Sequence, residues 1–318
     1  MEQSQKPLIE HIPDFLDWLE IEKGLSSKSQ ENYNRFLKKF LDWLKINNLE
    51  NIKPHELTSD NVWKYRVFLS RQYLPKTNKP LKKTTQNYYL IALRSLLNFF
   101  ADRDIISLPT EKVKLAMDKG DREVRFLSIE QLKKLFSTPE TSTTQGLRDR
   151  AILEVFFSTG MRISELVSLN KNQIKIKSGM KELELSIIGK GGRARTVYFS
   201  DRTLDWLNKY LMTRKDEDEA LFINYRSKKT NSLRLTPRSI EKMIKKYAIQ
   251  VGLPINTTPH VMRHTFATDL LSQGVDLRTI QEFLGHKSIA ATQIYAHVTS
   301  KKLREIHEKF HSGSQLNM

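Results

Sequence analysis

The chain has 318 residues, enough for about two domains at roughly 150 residues each, and it contains no cysteine, which excludes disulfides, thiolate catalysis and cysteine-held zinc or iron–sulfur clusters. A formal net charge of +17 suits a polyanionic partner such as DNA or RNA, or equally a soluble protein with a basic surface, and the motifs must decide. No apolar run approaches the ~20 residues that span a bilayer, and Met1 to Pro7 lack an apolar signal segment, so the expected setting is cytoplasmic, with no membrane partner.

Ile12, Phe15, Leu16, Trp18 and Leu19 recur at helical spacing and predict a first helix. Ser26 and Ser27 open a second, with an apolar stripe of Tyr33, Phe36, Phe40, Trp43 and Leu44. Thr58, a good N-cap, starts a third through Val62, Tyr65, Phe68 and Leu69. A fourth begins near Thr84 and carries Tyr88, Leu90, Leu93, Leu96, Leu97 and Phe100. Amphipathic helices joined by short polar segments predict a small helical bundle with these aromatics as its core. Lys82, Lys83, Thr84 and Thr85 stand at the start of the fourth helix, where basic and hydroxyl side chains suit either phosphate contact or plain solvation.

The polar stretch from Met117 to Glu123 has no apolar periodicity, which places a linker at 117–126 between an N-terminal domain, 1–116, and a C-terminal domain, 127–318. The second domain reads as mixed. Ser128 and Gln131 form a capping box ahead of Leu132 and Leu135, and 147–158 predict a buried helix. Asn172 to Ile176, Glu182 to Ile188 and Arg193 to Phe199 read as strands, the last two joined by the turn Gly189 to Gly192; helices resume at about Pro237. The predicted class is mainly α with a small antiparallel β-sheet in the C-terminal domain.

Several residues of this domain carry chemical potential, although each alone has an ordinary structural reading. Arg162 follows a glycine at the start of a helix, between apolar segments, where its guanidinium needs an anion or carbonyls; Glu165, three residues on, is a candidate internal partner. Lys190 sits in the glycine-rich turn, which lets it approach a phosphate or serve solubility. His260 and Arg263 share a helix face. His260 and His264 have zinc-like spacing, but a cation lies between them and the motif has no glutamate, so the metal reading is set aside. His286 stands at a helix end beside Gly285, and Tyr295 follows nine residues later. Together, arginines, histidines, a lysine and a tyrosine are what metal-free phosphodiester cleavage asks for: a phenol to attack phosphorus, guanidiniums to hold the non-bridging oxygens, and groups to move protons.

The segments T-G-M-R-I-S-E-L, G-K-G-G-R-A-R, H-V-M-R-H-T-F-A-T and L-G-H-K-S-I-A-A-T-Q-I-Y-A-H-V, in that order, resemble the tyrosine recombinase (phage integrase) family, most closely its Xer-like members, and the resemblance covers nearly the whole chain. It implies that Arg162 and Arg263 clamp the scissile phosphate, Lys190 protonates the leaving 5′ oxygen, His260 acts as acid and base, His286 hydrogen-bonds the phosphate, Glu165 supports the site and Tyr295 is the nucleophile. Met161 stands where the family often has Leu. Lys82, Lys83, Thr84, Thr85, Arg193 and Arg195 are the DNA-contacting candidates. The family further implies a SAM-like core-binding domain and a catalytic domain on double-stranded DNA, with no metal or nucleotide cofactor. Its members assemble as a homotetramer on two duplexes; here a C-terminal segment at about 301–318, helical in pattern from Lys301 to Phe310, would dock on a neighbour. A DNA translocase or a second recombinase are candidate further partners. Because no extra N-terminal arm-binding domain is expected, chromosome or plasmid dimer resolution is the first reading of its role. Integration or excision of a mobile element is the second; a type IB topoisomerase or a silent DNA-binding protein are the rivals.

Overall fold

The apolar stripes of the first helices meet as predicted in the computed structural model, which describes residues 2–72, 80–117, 125–177, 179–189, 192, 194–226, 232–286 and 290–293. The chain divides into two units, Met1–Asp121 and Arg122–Met318. In the first, α1 (Ile12–Ile21), α2 (Ser27–Ile46), α3 (Ser59–Val67) and α4 (Lys83–Asp102) bury Phe15, Phe40, Tyr65, Leu93 and Phe100. Edge-to-face packing of Phe40 on Tyr65, with centroids 4.9 Å apart, adds to the burial. Thr58 caps α3 as expected: its Oγ1 accepts from the Asn61 amide, and Asn61 Oδ1 accepts from the Thr58 amide. The outer ends of the stripes reach the surface, where Tyr88, 56% exposed, stacks on Phe36. Lys82 is the N-cap residue of α4, and both Lys82 and Lys83 are exposed. Among the described residues no helix is long and apolar enough to cross a membrane.

The second unit is built around α6 (Thr144–Thr159), in which Ala151, Ile152, Leu153, Val155 and Phe156 are wholly inaccessible. The helix is enclosed on every side, and its buried carboxylates Asp149 and Glu154 are paired with Arg148 and with Arg150 and Arg202. Around it pack α5 (Ile129–Ser137), capped by the expected Ser128–Gln131 box, α8 (Asp201–Leu211), α9 (Pro237–Gln250) and α10 (Pro259–Ser272). Strands β1 (Glu182–Ile188) and β2 (Ala194–Ser200) form one antiparallel hairpin, from Glu182 opposite Ser200 to Ile188 opposite Ala194. The short α7 (Ile163–Ser168), α11 (Leu277–Leu284) and α12 (Ala290–Gln293) complete the α-helices among the unit's described residues.

The strand expected at Asn172 to Ile176 is not formed. Lys171–Gln173 make a 3₁₀ turn, closed by the Asn170 amide donating to Gln173 Oε1, and Ile174 then drops its side chain into the core. The backbone just before it pairs instead with the loop after α8: the Leu221 amide donates to the Leu169 carbonyl and the Lys171 amide to the Glu219 carbonyl. The alternation at Asn172 to Ile176 thus reflects one-sided burial without a ladder.

α6 ends at Gly160, whose φ of 57° is the left-handed conformation that glycine adopts without cost. A Cβ here would lie 2.3 Å from Cδ1 of Phe266 on α10. Gly160→Ala therefore combines left-handed strain with overpacking, together about 2–4 kcal/mol. In a unit of this size that lowers Tm by about 10 °C, readable by circular dichroism melts; an unchanged Tm would show that the α6–α10 approach is not tight.

Candidate active site

Two helix ends and one hairpin strand converge to build the site. α6 stops at Gly160 and the chain restarts at once as α7, with Arg162 as the N-cap residue and Glu165 in the first turn. The Arg162 amide donates to Glu165 Oε2 at 2.7 Å, and Arg162 Nη1 donates to Oε1 at 2.9 Å. Arg195 reaches the same carboxylate from β2, with Nη1 donating to Oε1 and Nη2 to Oε2, both at 2.8 Å. Glu165 is buried, and desolvation alone would raise its pKa; the hydrogen bonds from Arg195 and Arg162, with the Arg195 charge, instead hold the carboxyl down to about 2. One buried anion thus organises two cations, leaving an excess positive charge.

The second convergence is the C-terminus of α11. A helix leaves its last carbonyls without intrahelical donors, and here three successive ones receive guanidiniums. Phe283 O accepts from Arg195 Nε at 3.0 Å, Leu284 O from Arg263 Nη2 at 2.6 Å and Gly285 O from Arg162 Nη2 at 3.3 Å. Cations at this end also suit the helix dipole. Arg263, 3% exposed, donates through Nη1 to the Gly160 carbonyl at 2.8 Å, so one guanidinium ties the end of α6 to the end of α11. Arg162 is the more open of the pair, with its side chain 28% exposed. Gly285 takes φ 61° and turns the chain so that His286 follows directly.

His286 Nδ1 lies 2.9 Å from Thr292 Oγ1, and Thr292 is wholly buried on α12. That contact occupies Nδ1 and leaves Nε2 as the ring's other polar atom. Desolvation, then the positive field of Arg263 and Arg162, lowers the His286 pKa to about 4. His260 stands one turn before Arg263 on α10; partial enclosure, then Arg263 and Arg162, lowers its pKa too. Its ring meets that of His264 edge-on at 4.2 Å, and His264 is lowered to about 4 by desolvation, then by His260 and Arg263. All three imidazoles are therefore neutral at pH 7 in the chain without DNA.

The unfolded chain takes up protons on these histidines near 6.5, while the folded chain does so only at lower pH. Their contribution to stability is complete above that value and is lost as pH falls from 6.5 towards 4. Thermal melts should show Tm falling steadily through this window, and less steeply for His264→Asn. Parallel slopes would mean that His264 is not buried in its neutral form.

Arg162, Glu165, Arg263 and His286 thus come together, with His260 on the same helix as Arg263. Lys190, Arg193 and Tyr295 lie outside the described residues, as do most of the linker at 117–126 and the segment 301–318. Lys82, Lys83, Thr84 and Thr85 belong to the first unit. Arg195, grouped in the sequence with DNA-contacting candidates, has its side chain only 8% exposed and its guanidinium directed at Glu165 and Phe283. Thr292 and the carbonyls of 283–285 were missed; a threonine six residues after His286 was the one visible trace. Among the described residues no three metal-ligating side chains converge. A cleft of about 610 Å³ between the hairpin and α11 opens beside the cluster, lined in part by Gly189, Thr196, Arg278 and His286.

Known proteins resemble the chain over most of its length. The model of the phage integrase family matches residues 125–302, and that of the phage integrase N-terminal SAM-like domain matches 12–104. Tyrosine recombinase XerD of Staphylococcus saprophyticus is 32% identical over 307 residues, covering 94% of this chain and 98% of that protein. Tyrosine recombinase XerC of Thermodesulfovibrio yellowstonii is 33% identical over 314 residues, covering 96% and 97%. The structure of XerH site-specific recombinase bound to palindromic difH substrate, a post-cleavage complex, shares the fold with a TM-score of 0.73 at 21% identity, covering 96% of this chain and 97% of that one.

Proposed function

The chain belongs to the phage integrase family, and from that premise we propose that it is a site-specific tyrosine recombinase that cuts and rejoins double-stranded DNA through Tyr295. The observation that carries this reading is the convergence of Arg162 and Arg263 on the C-terminal end of α11, next to His286 and nine residues before Tyr295 in sequence. Two guanidiniums held by carbonyls and a carboxylate are preorganised for an anion and need no reorganisation when charge grows on it.

In the proposed reaction the Tyr295 phenol, neutral at pH 7 with a reference pKa near ~10, loses its proton to a base; His260, itself neutral there, suits that role. The phenolate oxygen bonds to phosphorus, and the bond to the 5′ oxygen breaks as Lys190 protonates it. Arg162 and Arg263 hold the non-bridging oxygens, and His286 donates to one of them. The 5′ hydroxyl of a partner duplex then attacks the 3′-phosphotyrosyl bond, giving a Holliday junction, and the second strand pair follows. The phosphodiester's energy stays in the covalent bond, so no nucleotide is consumed. Residues 1–116, with Lys82, Lys83, Thr84 and Thr85 near phosphates, and residues 127–318 would each contact the duplex, in the cytoplasm. Four protomers joined through about 301–318 would bring two sites together. Dimer resolution is the first reading of its role and mobile-element integration the second.

The test is covalent trapping. Nicked duplexes from the source chromosome's terminus region or from element ends are incubated with the protein in EDTA and run on a denaturing gel. A protein-linked DNA band is the expected result. Intact DNA binding with no band on any duplex would move the reading to a DNA-binding protein without cleavage activity.

A further inference from the structure

We propose that Arg195 is a positioning residue that holds the phosphate-binding arginines in place through Glu165 and the end of α11, rather than a DNA contact; this rests on the recombinase reading. Its side chain is 8% exposed, and each of its three guanidinium nitrogens has a protein acceptor: Nη1 and Nη2 take both oxygens of Glu165, and Nε takes the Phe283 carbonyl. The Glu165 carboxylate thus occupies the fork with which a guanidinium would clasp a phosphate. What it holds, however, touches the site directly. Glu165 accepts from Arg162 Nη1, and the Phe283 carbonyl that Arg195 holds is followed directly by those of Leu284, held by Arg263, and Gly285, held by Arg162. The stem of Arg195 also fills the space beside Gly285, where a Cβ would sit 2.8 Å from its Cδ.

Arg195 stands opposite Ile187 in the hairpin register, so the same side chain fastens β2 to α7 and α11. Without it, Glu165 becomes a buried carboxylate with a single cationic partner, and Arg162 is drawn inward to it more strongly. The guanidinium that should face the substrate is then spent on the protein. Lysine cannot substitute, because an ammonium lacks the planar fork that spans both oxygens and the carbonyl at once.

The test uses the full chain and two readouts. The first is amide hydrogen exchange without DNA. In Arg195→Ala and Arg195→Lys, the amides of Gly285 and His286, which donate to the carbonyls of Glu282 and Gln281, should exchange about tenfold faster, a loss of roughly 1.4 kcal/mol of local stability. Amides in the middle of α6 should be unchanged. The second is cleavage of the duplex that the wild type cuts, with either its native scissile phosphate or a methylphosphonate there. On the native phosphate both variants should cleave about 100-fold more slowly. On the methylphosphonate, which carries no charge for Arg162 to neutralise, they should fall within about tenfold of wild type. Binding at several salt concentrations should keep the wild-type slope.

Unchanged exchange at 285 and 286 would overturn the proposal, as would wild-type cleavage by Arg195→Lys. A shallower salt slope with no methylphosphonate relief would return Arg195 to the DNA contacts. A wild type that forms no adduct at all refutes the recombinase reading, while the exchange data still judge whether Arg195 holds α11.

Discussion

Tyr295→Phe should form no protein-linked DNA while binding the same duplex as tightly as wild type. The substitution removes one oxygen, the atom that bonds to phosphorus, and leaves the ring. With no phenolic oxygen at 295 to attack, the loss should be on the order of 10⁴-fold or more, below detection on a gel. Binding should hold, since it rests on many phosphate contacts and not on one hydroxyl. The pair of results matters more than either alone. Lost adduct with lost binding would indicate a damaged fold, and an adduct that persists would mean that another side chain attacks.

Arg263→Ala should cost both catalysis and stability, and Arg162→Ala mainly catalysis. Each removes a cation from the proposed phosphate site, which should slow adduct formation by about 10²–10³-fold. Their surroundings differ. Arg263 is buried, and its removal leaves the carbonyls of Gly160 and Leu284 without their donors. An orphaned buried acceptor costs about 1–3 kcal/mol, and a cavity opens as well. Arg162 is partly solvated, and water can replace its 3.3 Å bond to Gly285. Melting curves should therefore show a drop for Arg263→Ala several times that for Arg162→Ala. Equal drops would mean that Arg263 is not the tie between α6 and α11, and wild-type cleavage by either variant would remove it from the phosphate site.

Much of the fold was legible because it rests on local chemistry. The stripe Phe40, Trp43, Leu44, the Thr58 and Ser128 caps and the glycine-rich hairpin each declare themselves within a few residues. Asn172 to Ile176 misled because alternation reports one-sided burial, whereas a strand also needs a partner ladder, which here is replaced by pairing of Leu169 and Lys171 with the 219–221 loop. In the site, the Arg162–Glu165 pair was readable, being three residues apart on one turn. The Glu165–Arg195 pair spans 30 residues and joins a helix to a strand, so no periodicity marks it. The grip on 283–285 left no trace at all, because every residue has a carbonyl, and only the fold selects which ones meet a guanidinium.

That grip on the main chain has a consequence for how the protein can vary. Arg195, Arg263 and Arg162 hold positions 283, 284 and 285 by atoms that no substitution removes. The side chains at 283 and 284 are thus released from the task of defining the site and answer only to packing, as the burial of Leu284 shows. The constraint is transferred to the three arginines and to the two glycines, Gly160 and Gly285, whose left-handed backbone delivers carbonyls to them. At 283 and 284 any apolar side chain that packs as well leaves the anion-binding geometry intact, whereas a change at any of the other five positions disturbs it.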